Sequence, residues 1–260
     1  MCGIFGLITN SKKKFNNKTL YSTIAKLFEK IERRGQDSSG LIVADKSKDK
    51  IYIIKNKDKI TNLVNKYDYK KILKRNKSLN LAAHSRMATH GDISLPENNQ
   101  PCVKNNLIIL HNGIITNHFE LRKKFKTTTE LDTELINVVI NKFKKKYSTL
   151  QSIKKLTKII KGSNSFVIFA PGEEKIYFFS SNGSLYFAKD VNFLLYASEK
   201  IFIKTSIDKL KKQTPIYKIP LNKVIYFNQY KAEKINKIKI ILKNYKKEEK
   251  FKKKININKL

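Results

Sequence analysis

The sequence predicts a layered α+β fold. Two features of its texture predict it: β-rich blocks lie near both ends of the chain, and a helical stretch separates them. Two sheets with helices between them in sequence bury all their apolar faces when the sheets stack on each other and the helices cover the outside. At 260 residues and 40% hydrophobic content the chain can bury such a core as one large domain followed by a tail.

Element by element, residues 2–9 alternate and are rich in strand formers. Leu20, Ile24, Leu27, Phe28 and Ile31 then fall at helical spacing, so 19–31 reads as a helix. Residues 39–44 and 50–54 read as paired strands, 60–73 as mostly helical and 79–85 as a buried strand. A polar loop containing Pro96 and Pro101 continues to residue 104, and 106–111 is a strand ending on "HNG". Helices are expected over 117–125, 131–143 and 150–160. From Ser165 onward short strands separated by turns follow one another: "SFVIFA", "KIYFFSS", "SLYFAKD", "FLLYASE", "IYKIP" and "KVIYFN". Beyond about residue 236 charge overwhelms apolar content, as in a solvated helix or frayed tail. The expected division is a domain over 2–240 and a lysine-rich tail over 241–260.

The net charge is +34, but only five of the 55 basic residues are arginine. Arginine is the bidentate reader of phosphates and guanine edges, so its scarcity argues against a dedicated nucleic-acid reader. Non-specific adhesion to polyanions at low salt follows from the charge alone. No apolar run approaches the roughly 18 residues of a membrane helix, and the first residues lack the make-up of a signal peptide. No membrane association and a cytoplasmic location are expected. Cys2 and Cys102 are the only cysteines, and His84, His90, His111 and His118 show no zinc-binding spacing with them. Neither a disulfide framework nor a metal is expected, and no cofactor.

Glycine is scarce, nine in all, and Gly3, Gly35, Gly40, Gly91 and Gly113 sit in compact polar clusters: "MCGIFG", "RRGQDSSG", "RMATHG" and "HNG". Glycine permits turns and close backbone approach around a ligand. In this order the clusters, together with "LHNGIITNHFELR" and "LDTELI", resemble the class II glutamine amidotransferase domain of the N-terminal-nucleophile hydrolases. The similarity runs nearest to the glutaminase half of glutamine:fructose-6-phosphate aminotransferase (glucosamine-6-phosphate synthase). The resemblance implies a four-layer αββα fold and hydrolysis of L-glutamine to glutamate and ammonia through a cysteine thioester.

The chemistry agrees with it. Removal of Met1 leaves Cys2 with a thiol beside a free α-amine, whose reference pKa of about 7.7 to 8.0 makes it a usable base at neutral pH. By resemblance, the Asn112 side-chain amide and the Gly113 backbone N–H form the oxyanion hole. Read without the resemblance, Asn-Gly is a common turn. Arg86 matches the arginine that forks onto the substrate α-carboxylate, and Asp132 the carboxylate that takes the α-ammonium. Thr89 and His90 match positions lining the glutamine pocket. The competing local readings are Asp132 as a helix N-cap and His90 as a turn residue. Residues 34–40 frame the site in the family, and Asp37 and Ser38 are read as structural.

Three departures matter. Met87 stands where the aminotransferase motif has a lid tryptophan, and methionine covers a ligand less rigidly. "NNQPCV" replaces a histidine-containing segment and looks more like the amidophosphoribosyltransferase and asparagine synthetase branches. The family's acceptor domain needs roughly 200 to 350 further residues, so a separate ammonia-accepting subunit or a free-standing glutaminase is expected. The rival readings are a catalytically silent amide-binding or regulatory subunit and a polyanion-binding protein.

Overall fold

The computed structural model describes residues 2–10, 15–45, 48–89, 91–210, 212–228 and 237–243. The chain begins with β1 (Gly3–Thr9), α1 (Asn17–Glu32), β2 (Ser38–Asp45), β3 (Lys50–Asn56), α2 (Ile60–Lys66), α3 (Tyr69–Arg75) and β4 (Leu79–Arg86). Next come β5 (Cys102–Lys104), β6 (Leu107–Ile115), α4 (His118–Lys124), α5 (Thr133–Lys144) and α6 (Thr149–Thr157). It closes with β7 (Gly162–Ala170), β8 (Lys175–Ser180), β9 (Tyr186–Lys189), β10 (Phe193–Ala197), α7 (Lys200–Lys209), β11 (Ile216–Lys218), β12 (Ile225–Asn228) and β13 (Lys237–Lys243).

Among the described residues the strands form two sheets, ordered β11-β9-β10-β1-β4-β2-β3-β13 and β12-β8-β7-β6-β5. The period of two along each strand decides what faces what. In β1, Phe5 and Leu7 join Leu20, Ile24, Leu27 and Phe28 of α1 in an outer core, which also takes in α2, α3 and α7. Ile4 and Ile8 point the other way. They meet Ile42, Ile53 and Ala82 of their own sheet and Ile108, Leu110, Val167 and Phe178 of the second. The second sheet's far face packs Ile109, Phe166 and Phe179 against Leu135, Ile136, Val139 and Ile153 of α5 and α6. Helix, sheet, sheet and helix make the four layers of the expected αββα fold.

Local chemistry sets several boundaries. The expected helix over 60–73 is two helices, because Tyr67 is extended and Asp68 caps α3 by accepting from the Lys71 N–H at 3.1 Å. Ser148 and Gln151 form a reciprocal capping box at the start of α6. The sequence reading passes over α7 and over the short strand β5. β6 runs through "HNG" to Ile115, so that motif lies within a strand and not beyond its end. A strand pairs in parallel with β3 over 237–243, where a helix or frayed tail is expected; the tail from 244 lies outside the described residues.

Tyr196 on β10 lies wholly buried between the sheets, its ring edge-on to Phe178, and its hydroxyl has no hydrogen-bond partner among the described residues. A buried polar group without a partner costs stability. Tyr196→Phe is therefore expected to stabilise the fold by about 1 kcal/mol, read as a higher urea midpoint at unchanged slope.

Candidate active site

Cys2 sits at the head of β1, and its parity with Ile4 turns it into the space between the sheets. It is 9% exposed. Its backbone N–H donates to Asn112 Oδ1 at 3.1 Å, and its carbonyl accepts from Arg34 Nε at 2.8 Å. Arg34 is itself held by Glu199 at the start of α7. The thiol donates to the Met87 carbonyl at 3.6 Å. Burial pushes the Cys2 thiol above its ordinary pKa, with the nearby Arg86 charge opposing. At neutral pH Cys2 therefore rests as a thiol, which has to lose its proton before it can act as a nucleophile.

Asn112 lies on β6 of the facing sheet, buried, and its Nδ2 donates to Ser184 Oγ at 3.2 Å. With Oδ1 on Cys2 and one Nδ2 hydrogen on Ser184, the second hydrogen remains to meet a developing oxyanion. Gly113 is paired with Asn164 of β7 at φ +156°, and a Cβ there would lie 2.0 Å from the Ser163 carbonyl oxygen. No other residue fits without moving β7.

Arg86 ends β4 and is buried, with Nη1 donating to Asn99 Oδ1 at 2.8 Å. The same Asn99 oxygen accepts from Ser38 Oγ at 2.7 Å. The "RRGQD" turn is pressed against this strand end: a Cβ on Gly35 would lie 2.3 Å from the Arg86 carbonyl carbon. Asp37 completes the join, its N–H donating to the Arg86 carbonyl at 3.0 Å and its Oδ2 accepting from the Ala88 N–H at 2.7 Å. This matches the structural role expected for Asp37 and Ser38.

Asp132 occupies the N-cap position of α5 but makes no side-chain cap bond. Its Oδ2 accepts from the Ile115 N–H at 3.1 Å, and its Oδ1 lies 3.7 Å from His111 Nδ1. A capping role is thereby set aside, and the carboxylate is tied to the strand that carries Asn112 and Gly113. Arg86 and Asp132 both act on the Cys2 thiol electrostatically, with opposite signs. A positive and a negative group that both act on one thiol suit a zwitterionic amino acid whose side chain reaches the sulfur.

Thr89 is exposed on the segment after Met87, and His90 lies outside the described residues. Met87, the residue in the lid tryptophan's place, is 51% exposed. The sequence reading missed Gln100, whose Oε1 accepts from the His111 N–H at 2.6 Å and whose Nε2 donates to the His111 carbonyl at 2.9 Å. It also missed Asn99, which holds Arg86, Ser184, which holds Asn112, and the direct contact of Arg34 with Cys2. Asn99 and Gln100 belong to "NNQP", a segment whose departure from the aminotransferase pattern is visible in the sequence. His84 joins the two sheets, Nε2 donating to the His111 carbonyl at 3.0 Å, and burial holds it at about 3, so it is neutral at physiological pH. No group of residues able to hold a metal occurs among the described residues, and no described helix is long and apolar enough to cross a membrane.

The profile of a family described as "Glutamine amidotransferase domain" matches residues 84–205. Glutamine–fructose-6-phosphate aminotransferase (isomerizing) of Buchnera aphidicola subsp. Acyrthosiphon pisum is 34% identical over 191 residues, 71% of this chain and 29% of that protein. The protein of the same name from Helicobacter pylori is 30% identical over 71% of this chain and 30% of its own length. The chain thus spans less than a third of the curated relatives it matches. In fold it is similar to glutamine phosphoribosylpyrophosphate amidotransferase from B. subtilis, with a TM-score of 0.66 at 21% identity over 90% of this chain and 49% of that one. The thiol, the asparagine amide facing it across the sheets, and these similarities identify the chain as carrying a class II glutamine amidotransferase domain of the N-terminal-nucleophile hydrolase fold, similar to the glutaminase region of glutamine–fructose-6-phosphate aminotransferase.

Proposed function

We propose that this domain, once Met1 is removed, hydrolyses L-glutamine to glutamate and ammonia through a γ-glutamyl thioester on Cys2. The observation that carries the reading is the hydrogen bond from the Cys2 nitrogen to Asn112 Oδ1 at 3.1 Å, which sets nucleophile, base and oxyanion donor within one contact. The α-amine takes the thiol proton as sulfur attacks the substrate amide carbon. Asn112 Nδ2 and the Gly113 N–H receive the oxyanion, and the amine returns the proton to the departing nitrogen as ammonia. Water then attacks the thioester, releasing glutamate and restoring the thiol. Arg86 takes the substrate α-carboxylate, Asp132 the α-ammonium, and Thr89 and His90 line the pocket.

In a finer reading the ammonia passes to a sugar-phosphate acceptor on a synthase domain or separate subunit, in the cytoplasm, toward glucosamine 6-phosphate; similarity to glutamine–fructose-6-phosphate aminotransferases supports the sugar-phosphate acceptor. Contact with nucleic acid is non-specific and confined to low salt.

The test is glutamine-dependent production of glutamate and ammonia in equal amounts by the processed protein. Arg86→Lys is expected to raise the glutamine KM about tenfold, because an ammonium cannot reproduce the guanidinium fork. Absence of ammonia release by folded protein lacking Met1 overturns the reading in favour of a silent amide-binding subunit.

A further inference from the structure

Lys55 is the only lysine buried among the described residues, at 4% exposure, in a chain otherwise crowded with solvent-facing lysines. It lies next to the last residue of β3, on the same inter-sheet side as Ile51 and Ile53. Taking an ammonium out of water is costly unless its hydrogens are accepted. Here the Nζ donates to two main-chain carbonyls of one turn, Asn99 O at 2.6 Å and Pro96 O at 3.1 Å.

That turn is where the substrate-binding arginine is held. Asn99 gives its side-chain oxygen to Arg86 at 2.8 Å and its main-chain oxygen to Lys55, while its Nδ2 donates to the Ile93 carbonyl at 2.7 Å and the Leu95 carbonyl at 3.1 Å. We propose that Lys55 is a positioning residue for the glutamine site: its ammonium pins the 96–99 turn so that Asn99 aims Arg86 at the substrate α-carboxylate. The proposal rests on the glutaminase reading. Gln100, the next residue, grips the His111 backbone through both its N–H and its carbonyl, which holds the Asn112 strand independently of Lys55. Loss of Lys55 therefore acts on substrate affinity and leaves the oxyanion side in place.

This amine loses its charge closer to neutrality than an ordinary lysine does. Burial brings Lys55 down to about 8; the Cys102 thiol and Glu97 push it back up, and Arg86 pushes it further down. Below that pH the amine is an ammonium making charge-assisted bonds and adding a positive charge beside Arg86. Above it both contributions weaken.

The experiment is calorimetric titration of L-glutamine into the full chain carrying Cys2→Ala, at pH 7 and pH 9, with Lys55, Lys55→Arg and Lys55→Met. With Lys55, affinity is expected to fall about fivefold between the two pH values beyond the change seen in Lys55→Arg. That arginine variant keeps its charge and cancels any titration of the ligand itself. Lys55→Met is expected to bind about tenfold more weakly at pH 7. In the Cys2-containing protein it should show a raised KM with kcat changed less than about threefold.

Equal affinity of Lys55 and Lys55→Met at pH 7, or identical pH dependence of Lys55 and Lys55→Arg, overturns the proposal while leaving the glutaminase reading intact. Glutamine binding that follows the expected pattern without ammonia release by the Cys2 protein overturns the glutaminase reading alone. Absence of binding by folded protein overturns both.

Discussion

Cys2→Ala is expected to abolish glutamine-dependent ammonia release, a loss on the order of 10³-fold or more, while leaving the fold intact. In the proposed mechanism the thiol forms the covalent acyl bond to the substrate carbon, and the base that activates it is the same residue's amine. A protein that keeps Met1 is expected to be equally inactive, because a peptide nitrogen is no base. Intact mass separates the two species, so activity can be compared with the fraction of chains processed. A glutamine-like diazoketone should label Cys2 stoichiometrically and leave Cys102 untouched. Cys102 is buried beneath α5, and burial pushes its thiol up to about 12, where it is inert. Protection by L-glutamine, and a labelling rate that rises through the amine's titration near pH 8, would show that the amine and not a free thiolate governs attack. Labelling at Cys102 alone would overturn the assignment of the nucleophile.

Most of the fold and half of the site can be read from sequence, for a physical reason. Strands and helices announce themselves by period, so β1, α1, β4 and the run from β7 to β10 are legible from apolar spacing. The failures fall where period is not the deciding force. α7 presents Phe202, Ile203 and Ile207 to the outer core from a segment rich in β-branched residues and lysine, where propensity gives no preference. β5 is three residues long and exists because β6 is beside it.

In the site, the residues proposed to contact substrate carry motif signals, as Arg86, Asn112 and Asp132 do. Those that hold them in place do not. Lys55 is one lysine among fifty, and nothing in the string separates it from those in solvent. Asp132 shows the converse. Its position before α5 is what a cap requires, and only the three-dimensional contact with the Ile115 N–H reveals that the carboxylate faces the strand instead.

Asn112→Ala is expected to lower kcat by about 100- to 1,000-fold with a much smaller change in KM, the usual cost of losing one preorganised oxyanion donor. Alanine alone leaves the interpretation open, because Asn112 also accepts from the Cys2 nitrogen at 3.1 Å and so orients the nucleophile. Asn112→Asp separates the two roles. It has the same shape, keeps an oxygen toward Cys2, and its second oxygen can accept from the Ser184 hydroxyl. If orientation of Cys2 were the function of this side chain, aspartate would serve as well as asparagine. If donation to the oxyanion is the function, aspartate places a negative charge where one is developing, and the variant should be at least as slow as alanine. The carboxylate would also hold the α-amine in its protonated form, moving the acid limb of the rate profile to higher pH. Slow turnover together with that shifted limb is the expected result. Near-normal kcat in Asn112→Asp would reduce Asn112 to a tether for Cys2 and leave the oxyanion to Gly113.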